Sequence, residues 1–394
     1  MQTAASQVMS KFSTLLMLSK TRNNCVGTSV PIPRFEEPLI RQLLKETITL
    51  LKERSIIQQI DPPVYVIGEL SGNLIDLMRI FAHSESVDSH CFVFLGNYSG
   101  CRSFSAETII FLLSLYCCYP QTVCLLRGKN EFLTSESFKN LSNEFLSLKL
   151  NLVHELTEVF GYFPLACVIS KEILCIHSGI GKNFHNLSKL EKIQRPILDS
   201  RDSIVQDIIF SIPDDSISGI HNFSYGEKGT INFLKKNDLR KIIISGNPSP
   251  NGITQFCHGK VISLFSSSNH LNKCGFLFFP FDLKARVHSL PFSDSLKREQ
   301  ANFNPLAKVS TLDQTSYTIR SINQMIFGKN EKTHNRIVRR MTVPMLQKIE
   351  PPDPDNSFVR CFSPPARNDI FLPLYPQIEN ISCDNKHETF HDNT

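Results

Sequence analysis

No tryptophan occurs in the 394 residues, so core volume must come from other large side chains, and 29 phenylalanines supply it. No apolar stretch reaches the length of about 20 residues that spans a bilayer, which gives no reason to expect a membrane partner. The twelve cysteines include no pair at the two-residue spacing of a zinc or redox motif, and no secretory leader pattern is evident. Free thiols in a reducing compartment are therefore expected, with the cytoplasm as the first location and the nucleus as the alternative. A net charge of +5 is too small to point to a nucleic-acid partner. The first 34 residues contain no Asp or Glu, a composition shared with mitochondrial transit peptides. Arginines are few there, so residues 1–34 read as a disordered N-terminal arm with one short apolar patch at Phe12 to Leu18.

What is present is organised around Cys91 to Glu131. An apolar run, Cys91 to Leu95, stops at Gly96 and reads as a buried strand entering a tight turn. Ser105 to Tyr116 is apolar all round and reads as a buried helix, with Ser105 as a candidate N-cap. Pro120 closes it, and Val123 to Leu126 is a second buried strand ending at Gly128. Strand, helix, strand in this order predicts a parallel βαβ unit. Upstream, Val64 to Ile67 runs into Gly68-Glu69-Leu70-Ser71-Gly72-Asn73, and a helix follows. Ligands in such sheets sit beyond the carboxyl ends of the strands, so these three junctions should converge on one site.

These junctions resemble the metal-binding signature of the serine/threonine phosphoprotein phosphatases, whose motifs are Gly-Asp-x-His-Gly, Gly-Asp-x-Val-Asp-Arg-Gly and Gly-Asn-His-Glu, the last preceded by LLRG. Here the corresponding stretches are GELSG, GNYSGCR and GKNE, the last again after LLR. Phe163 to Gly181, Phe223 to Leu239 and Val261 to Asn269 resemble later blocks of the family in the same order. The likeness covers residues 35–283 and implies an α/β, metallophosphoesterase-like β-sandwich flanked by helices. It further implies a calcineurin-like phosphoesterase domain over 35–283, followed by a mostly disordered tail over 284–394.

The chemistry implied by the family is largely missing. Its metal-binding aspartate falls on Glu69 and its first metal-binding histidine on Ser71. The aspartate that bridges both metals falls on Asn97, and the metal-binding asparagine on Lys129. The histidine that protonates the leaving group falls on Asn130, while the motif's arginine falls on Cys101. A second phosphate-binding arginine would fall near Gly219. Glu131 and His177 remain, and the last metal histidine falls on Asn247. Phosphate-ester hydrolysis has one of the highest uncatalysed barriers known, and a pair of ions about 3.5–4 Å apart lowers it by making hydroxide and clamping oxygens. An ammonium has no lone pair to coordinate with, and an asparagine cannot act as a proton donor to a leaving group.

A pseudophosphatase that binds protein partners, either regulatory subunits or phosphoproteins, is the leading expectation, with no cofactor. The alternative is a divergent phosphatase of weak residual activity, holding one divalent ion (Mn, Fe or Zn) weakly on Glu69, Asn97, His177 and Asn247. A third reading is an inert structural module whose tail carries the function. Lys129 is expected to replace part of the metal charge by pairing with Glu69 or Glu131, and Arg102 is a further candidate for the pocket.

Around the site, Phe35 to Ser55 reads as an amphipathic helix, and Asp61-Pro62-Pro63 should precede the first strand. Two helices are expected in 135–160, a hairpin in 165–176 and a loop in 211–223. Strands are expected at 242–245, 261–265 and 275–281, with the family placing this later set in a second sheet. In the tail, weak helices near 321–327 and 336–345 and a basophilic kinase motif at Arg339 to Thr342 are expected.

Overall fold

The computed structural model describes residues 3–19, 25–293 and 296–306. Its helices are α1 (Ala4–Ser19), α2 (Glu37–Lys52), α3 (Leu74–His83), α4 (Ser105–Cys118), α5 (Glu136–Ser147), α6 (Val153–Tyr162), α7 (Ser203–Phe210) and α8 (Glu227–Lys236). The first strands are β1 (Ile57–Ile60), β2 (Val64–Ile67), β3 (Cys91–Phe94), β4 (Val123–Leu125), β5 (Ala166–Ile169) and β6 (Ile173–Ile176). The short β7 (Ile212–Pro213), β8 (Ile220–His221) and β9 (Ser224–Tyr225) follow. The chain then forms β10 (Lys241–Ser245), β11 (Ile253–Phe256), β12 (Val261–Leu264), β13 (Cys274–Phe279) and β14 (Arg286–Leu290).

Two sheets make a sandwich, the first ordered β14-β13-β2-β3-β4 and the second β1-β5-β6-β10-β12-β11. Alternation along each strand explains why the runs are apolar throughout. Val64 and Val66 of β2 meet Cys167, Ile169, Cys175 and Ile243 between the sheets. Tyr65 and Ile67 of the same strand face outward under α1 to α6. The second sheet's outer face, with Val168, Leu174, Ile176 and Ile242, is covered by α7 and α8. Strands buried on both faces lose the polar–apolar alternation of half-exposed ones. The β2–β3 and β3–β4 pairs are parallel, as the βαβ pattern predicts, and β5–β6 is an antiparallel hairpin.

Several expectations are corrected. Residues 4–19 are not a disordered arm: α1 buries Val8, Met9, Phe12, Leu15 and Leu16. The Phe12 ring meets Phe111 of α4 edge-on at 5.2 Å. The Glu46 carboxylate accepts hydrogen bonds from the Ala4 and Ala5 N–H groups at 3.0 and 3.1 Å, satisfying donors that a helix start leaves open. The ordered region also runs past 283, because β14 extends the sheet and Phe303 forms a bridge with Ile32. The tail helices and the Arg339 to Thr342 motif lie outside the described residues. β1 precedes the double proline; its polar middle, Gln58-Gln59, suits an edge strand paired only with β5. β13 joins β2 in the first sheet rather than the second. The 211–223 segment contributes to a small sheet, β7-β9-β8, instead of an open loop.

Ten cysteines are described, all free, and only Cys101 is exposed. Burial pushes the Cys91, Cys117 and Cys118 thiols up to about 12 and those of Cys167, Cys175 and Cys274 well above the ordinary range. Thiolate is the reactive form. An aromatic disulfide reagent such as dithionitrobenzoate should therefore modify Cys101 in the native chain and the other described cysteines only on unfolding, as peptide mass mapping would show. Rapid native labelling of Cys124, Cys167 or Cys175 would contradict the packing.

Candidate functional site

The carboxyl ends of β2, β3, β4, β6 and β10 deliver their loops to one place. Glu69 follows β2, and its carbonyl accepts a hydrogen bond from the Ser266 N–H at 2.9 Å, which ties it to the second sheet. Its side chain accepts the Ser71 hydroxyl on one oxygen and the Asn97 amide N–H at 2.8 Å on the other. The protein around Glu69 raises its pKa by desolvation, with the bonds from Ser71 and Asn97 and the charge of Lys129 opposing.

Asn97 follows β3 in a left-handed conformation, φ +57°. Its side-chain oxygen accepts the Asn130 N–H at 3.0 Å. Asn130 itself donates from its amide to the Ser99 carbonyl at 2.7 Å. Glu131 points inward rather than into a pocket. Its carboxylate accepts the N–H groups of Asn97 and Tyr98, each at 2.9 Å, and of Gly128 at 2.8 Å. One side chain thus pins the second junction to the third. Arg127 is fully buried beside it, with its guanidinium 3.6 Å from the Phe132 ring centre and donating to the Glu131 carbonyl at 3.0 Å. Burial lowers the Arg127 pKa to about 9.

His177 closes β6. Its Nδ1 lies 2.7 Å from the Leu95 carbonyl oxygen, which can only accept, so Nδ1 carries the proton and Nε2 is the acceptor of the neutral ring. Burial, with Lys129 adding a smaller effect, lowers its pKa to about 4.

Glu69, Asn97, Lys129, His177 and Asn247 line one cavity of about 320 Å³, together with Ser245, Ser263, Phe210, Ile212 and Pro213. Lys129 and Asn247 are exposed, while Asn97, His177 and Ser245 are buried. The other candidates lie elsewhere. Ser71, Asn130 and Glu131 are buried behind the lining, bound as described. Arg102 turns away to donate to the Ser268 carbonyl at 2.7 Å and lines a separate pocket with Cys101. Gly219 sits by the small sheet, where its carbonyl accepts the Gly226 N–H at 2.7 Å. Lys129 does not pair with Glu69 or Glu131, and it makes no ion pair among the described residues. A larger open groove of about 600 Å³ around Pro196 contains none of the junction residues.

Ser245 and the apolar wall at Phe210, Ile212 and Pro213 escaped the reading of the sequence. The serine at a strand end before Gly246 was the available signal for the first; the wall has no motif. A second missed feature is the charged cluster in which Arg298 holds Glu107 at 2.6 Å and approaches Glu144 at 3.6 Å.

Comparison with known proteins agrees with the fold. Residues 62–246 match the family model of the calcineurin-like phosphoesterases. The serine/threonine-protein phosphatase BSL2 of Arabidopsis thaliana is 31% identical over 238 residues, 55% of this chain and 23% of that protein. The chain therefore spans about a quarter of that relative's length. A solved protein serine/threonine phosphatase from Saccharomyces cerevisiae, with similarity to human phosphatase PP5, superposes with a TM-score of 0.60 at 19% identity. The superposition covers 66% of this chain and 91% of the other, and at that identity it supports the fold alone. Fold and matched segment are those of a calcineurin-like phosphoesterase. Within that class, the chain is similar to the serine/threonine protein phosphatases.

That family normally binds divalent metals, and the donor set here does not fit a two-ion centre. Among the described residues no three His, Cys, Asp or Glu side chains are grouped to hold an ion. Both oxygens of Glu69 and the oxygen of Asn97 already accept hydrogen bonds, and Glu131 is consumed by backbone. A lysine ammonium beside these groups opposes a nearby cation.

Proposed function

We propose that this chain is a phosphatase-fold protein that no longer hydrolyses phosphate esters and acts by binding protein partners, either regulatory subunits or phosphoproteins. The observation that supports this best is the closed hydrogen-bond chain from Ser71 through Glu69 and Asn97 to the Asn130 backbone. The side-chain oxygens of Glu69 and Asn97, which would ligate metal, already accept hydrogen bonds within this chain. The proton donor to a leaving group is absent as well, because Asn130 gives an amide hydrogen to the Ser99 carbonyl and has no acidic proton at neutral pH. The many free, buried thiols suit a cytoplasmic or nuclear setting.

The test is metal analysis of the purified full-length chain combined with turnover of a phosphopeptide in added Mn²⁺. Substoichiometric metal and turnover at the level of the buffer control are expected. Two bound ions with turnover would reject the proposal. One ion with slow turnover would favour a divergent metal phosphatase working through Glu69 and His177.

A further inference from the structure

We propose that the cavity at the strand ends binds the phosphate group of a phosphorylated protein side chain directly, without metal, with Lys129 supplying the counter-charge. This rests on the reading of a non-hydrolysing binding protein and names its ligand. Lys129 lines the cavity, is exposed, and makes no ion pair among the described residues. It shares that lining with Glu69 and His177. An unpaired ammonium at a concave site is a point charge suited to an oxyanion.

The second observation is independent of charge. Ser245 lines the same cavity, is only 5% exposed, and its hydroxyl has no partner among the described residues. A buried hydroxyl left unpaired is destabilising, so a ligand oxygen that pairs with it removes that penalty. His177 adds the complementary function. Its Nδ1–H is committed to the Leu95 carbonyl, so Nε2 can only accept. A phosphate monoester has its second pKa near 6, so the singly protonated form is readily reached. That form brings one P–OH to donate to Nε2 and oxygens to accept from Lys129 and Ser245. Glu69 faces the cavity too, and its charge when ionised favours this monoanion over the dianion.

The apolar wall selects the source of the phosphate. Phe210 and Ile212 are exposed, and Phe210 is braced edge-on by Phe223 with ring centres 5.9 Å apart. Free phosphate makes no use of such a wall. A protein segment carrying an apolar residue next to its phosphorylated one covers it.

The experiment is fluorescence anisotropy with the full-length chain in EDTA. The probe is a labelled phosphoserine peptide with phenylalanine beside the phosphoserine. Binding should persist in EDTA and weaken at least about tenfold for the unphosphorylated peptide, the effect of one charged hydrogen bond. Lys129→Met should weaken it to a similar degree and Ser245→Ala by about threefold, with unchanged circular dichroism; Lys129 is an exposed residue whose loss leaves the fold intact. Inorganic phosphate should compete only weakly. Equal binding of both peptides, or no effect of Lys129→Met, overturns the proposal. Competition by inorganic phosphate at the peptide's own affinity overturns the assignment to a protein segment. An inert, metal-free chain that ignores phosphorylation refutes this inference alone, whereas metal-dependent turnover refutes the functional reading beneath it.

Discussion

Glu131→Ala is expected to lower the folding stability by about 3–5 kcal/mol, a large part of the 5–15 kcal/mol available to a typical domain. The carboxylate satisfies three backbone donors, from Asn97, Tyr98 and Gly128. Alanine reaches none of them, and each buried N–H left unpaired costs about 1–3 kcal/mol. The measurement is urea unfolding followed by circular dichroism. A midpoint equal to that of the wild type would show that this side chain does not hold the junctions. The variant Glu131→Gln keeps the volume and isolates the charge. Burial raises the Glu131 pKa to about 7, against the three N–H donors and Arg127. The folded state thus retains a proton that the unfolded chain releases near its ordinary value. The resulting contribution to stability is full below about pH 4.5 and is lost as the pH rises through about 7. The advantage of wild type over Glu131→Gln should shrink across that window, and an advantage that grows with pH would reverse the assignment.

Gly96→Ala should be nearly as damaging, for steric reasons. Gly96 has φ +93°, a region that L side chains rarely adopt. An added Cβ would lie 2.4 Å from the Gly128 nitrogen and 2.7 Å from its Cα. Both atoms are backbone, so no rotamer change relieves the contact. The second and third junctions would have to separate, pulling Asn97 from Glu131. A cost of about 3 kcal/mol or more is expected, combining left-handed strain with overpacking. Gly219→Ala is the control, since nothing lies within 4 Å of its added Cβ. Equal unfolding midpoints for the two variants would refute the close approach.

The fold was legible where local pattern and burial agree. Gly-terminated apolar runs marked β2, β3 and β4, and a helix apolar all round marked α4. Elsewhere the signals were overruled or weak. Val8, Met9, Phe12, Leu15 and Leu16 recur at helical spacing, but the acid-poor composition of the N-terminal residues weighed more heavily; its helix start is served by Glu46, 42 residues from Ala4, which no local motif announces. The polar middle of β1 concealed it. β14 and Arg298 were absorbed into a tail because charged segments read as solvated, whereas Arg298 answers Glu107 and Glu144 across the fold. At the site, residue types and convergence could be read, but side-chain directions could not. Glu131 turning inward and Arg102 turning away each depend on bonds to backbone groups far off in sequence.

The return of the chain after β14 sets the smallest fragment worth making. Arg298 neutralises two carboxylates of α4 and α5, and Asn302 closes onto residues 27 and 28. A truncation at residue 283, the boundary that family likeness suggests, would strip β13 of β14, one of its two neighbours, and leave Glu107 enclosed without its counter-ion. A preparation beginning at residue 35 would uncover the face of α4 that Phe12 protects, and insolubility of either shortened form would report on missing braces rather than on the phosphatase-like core.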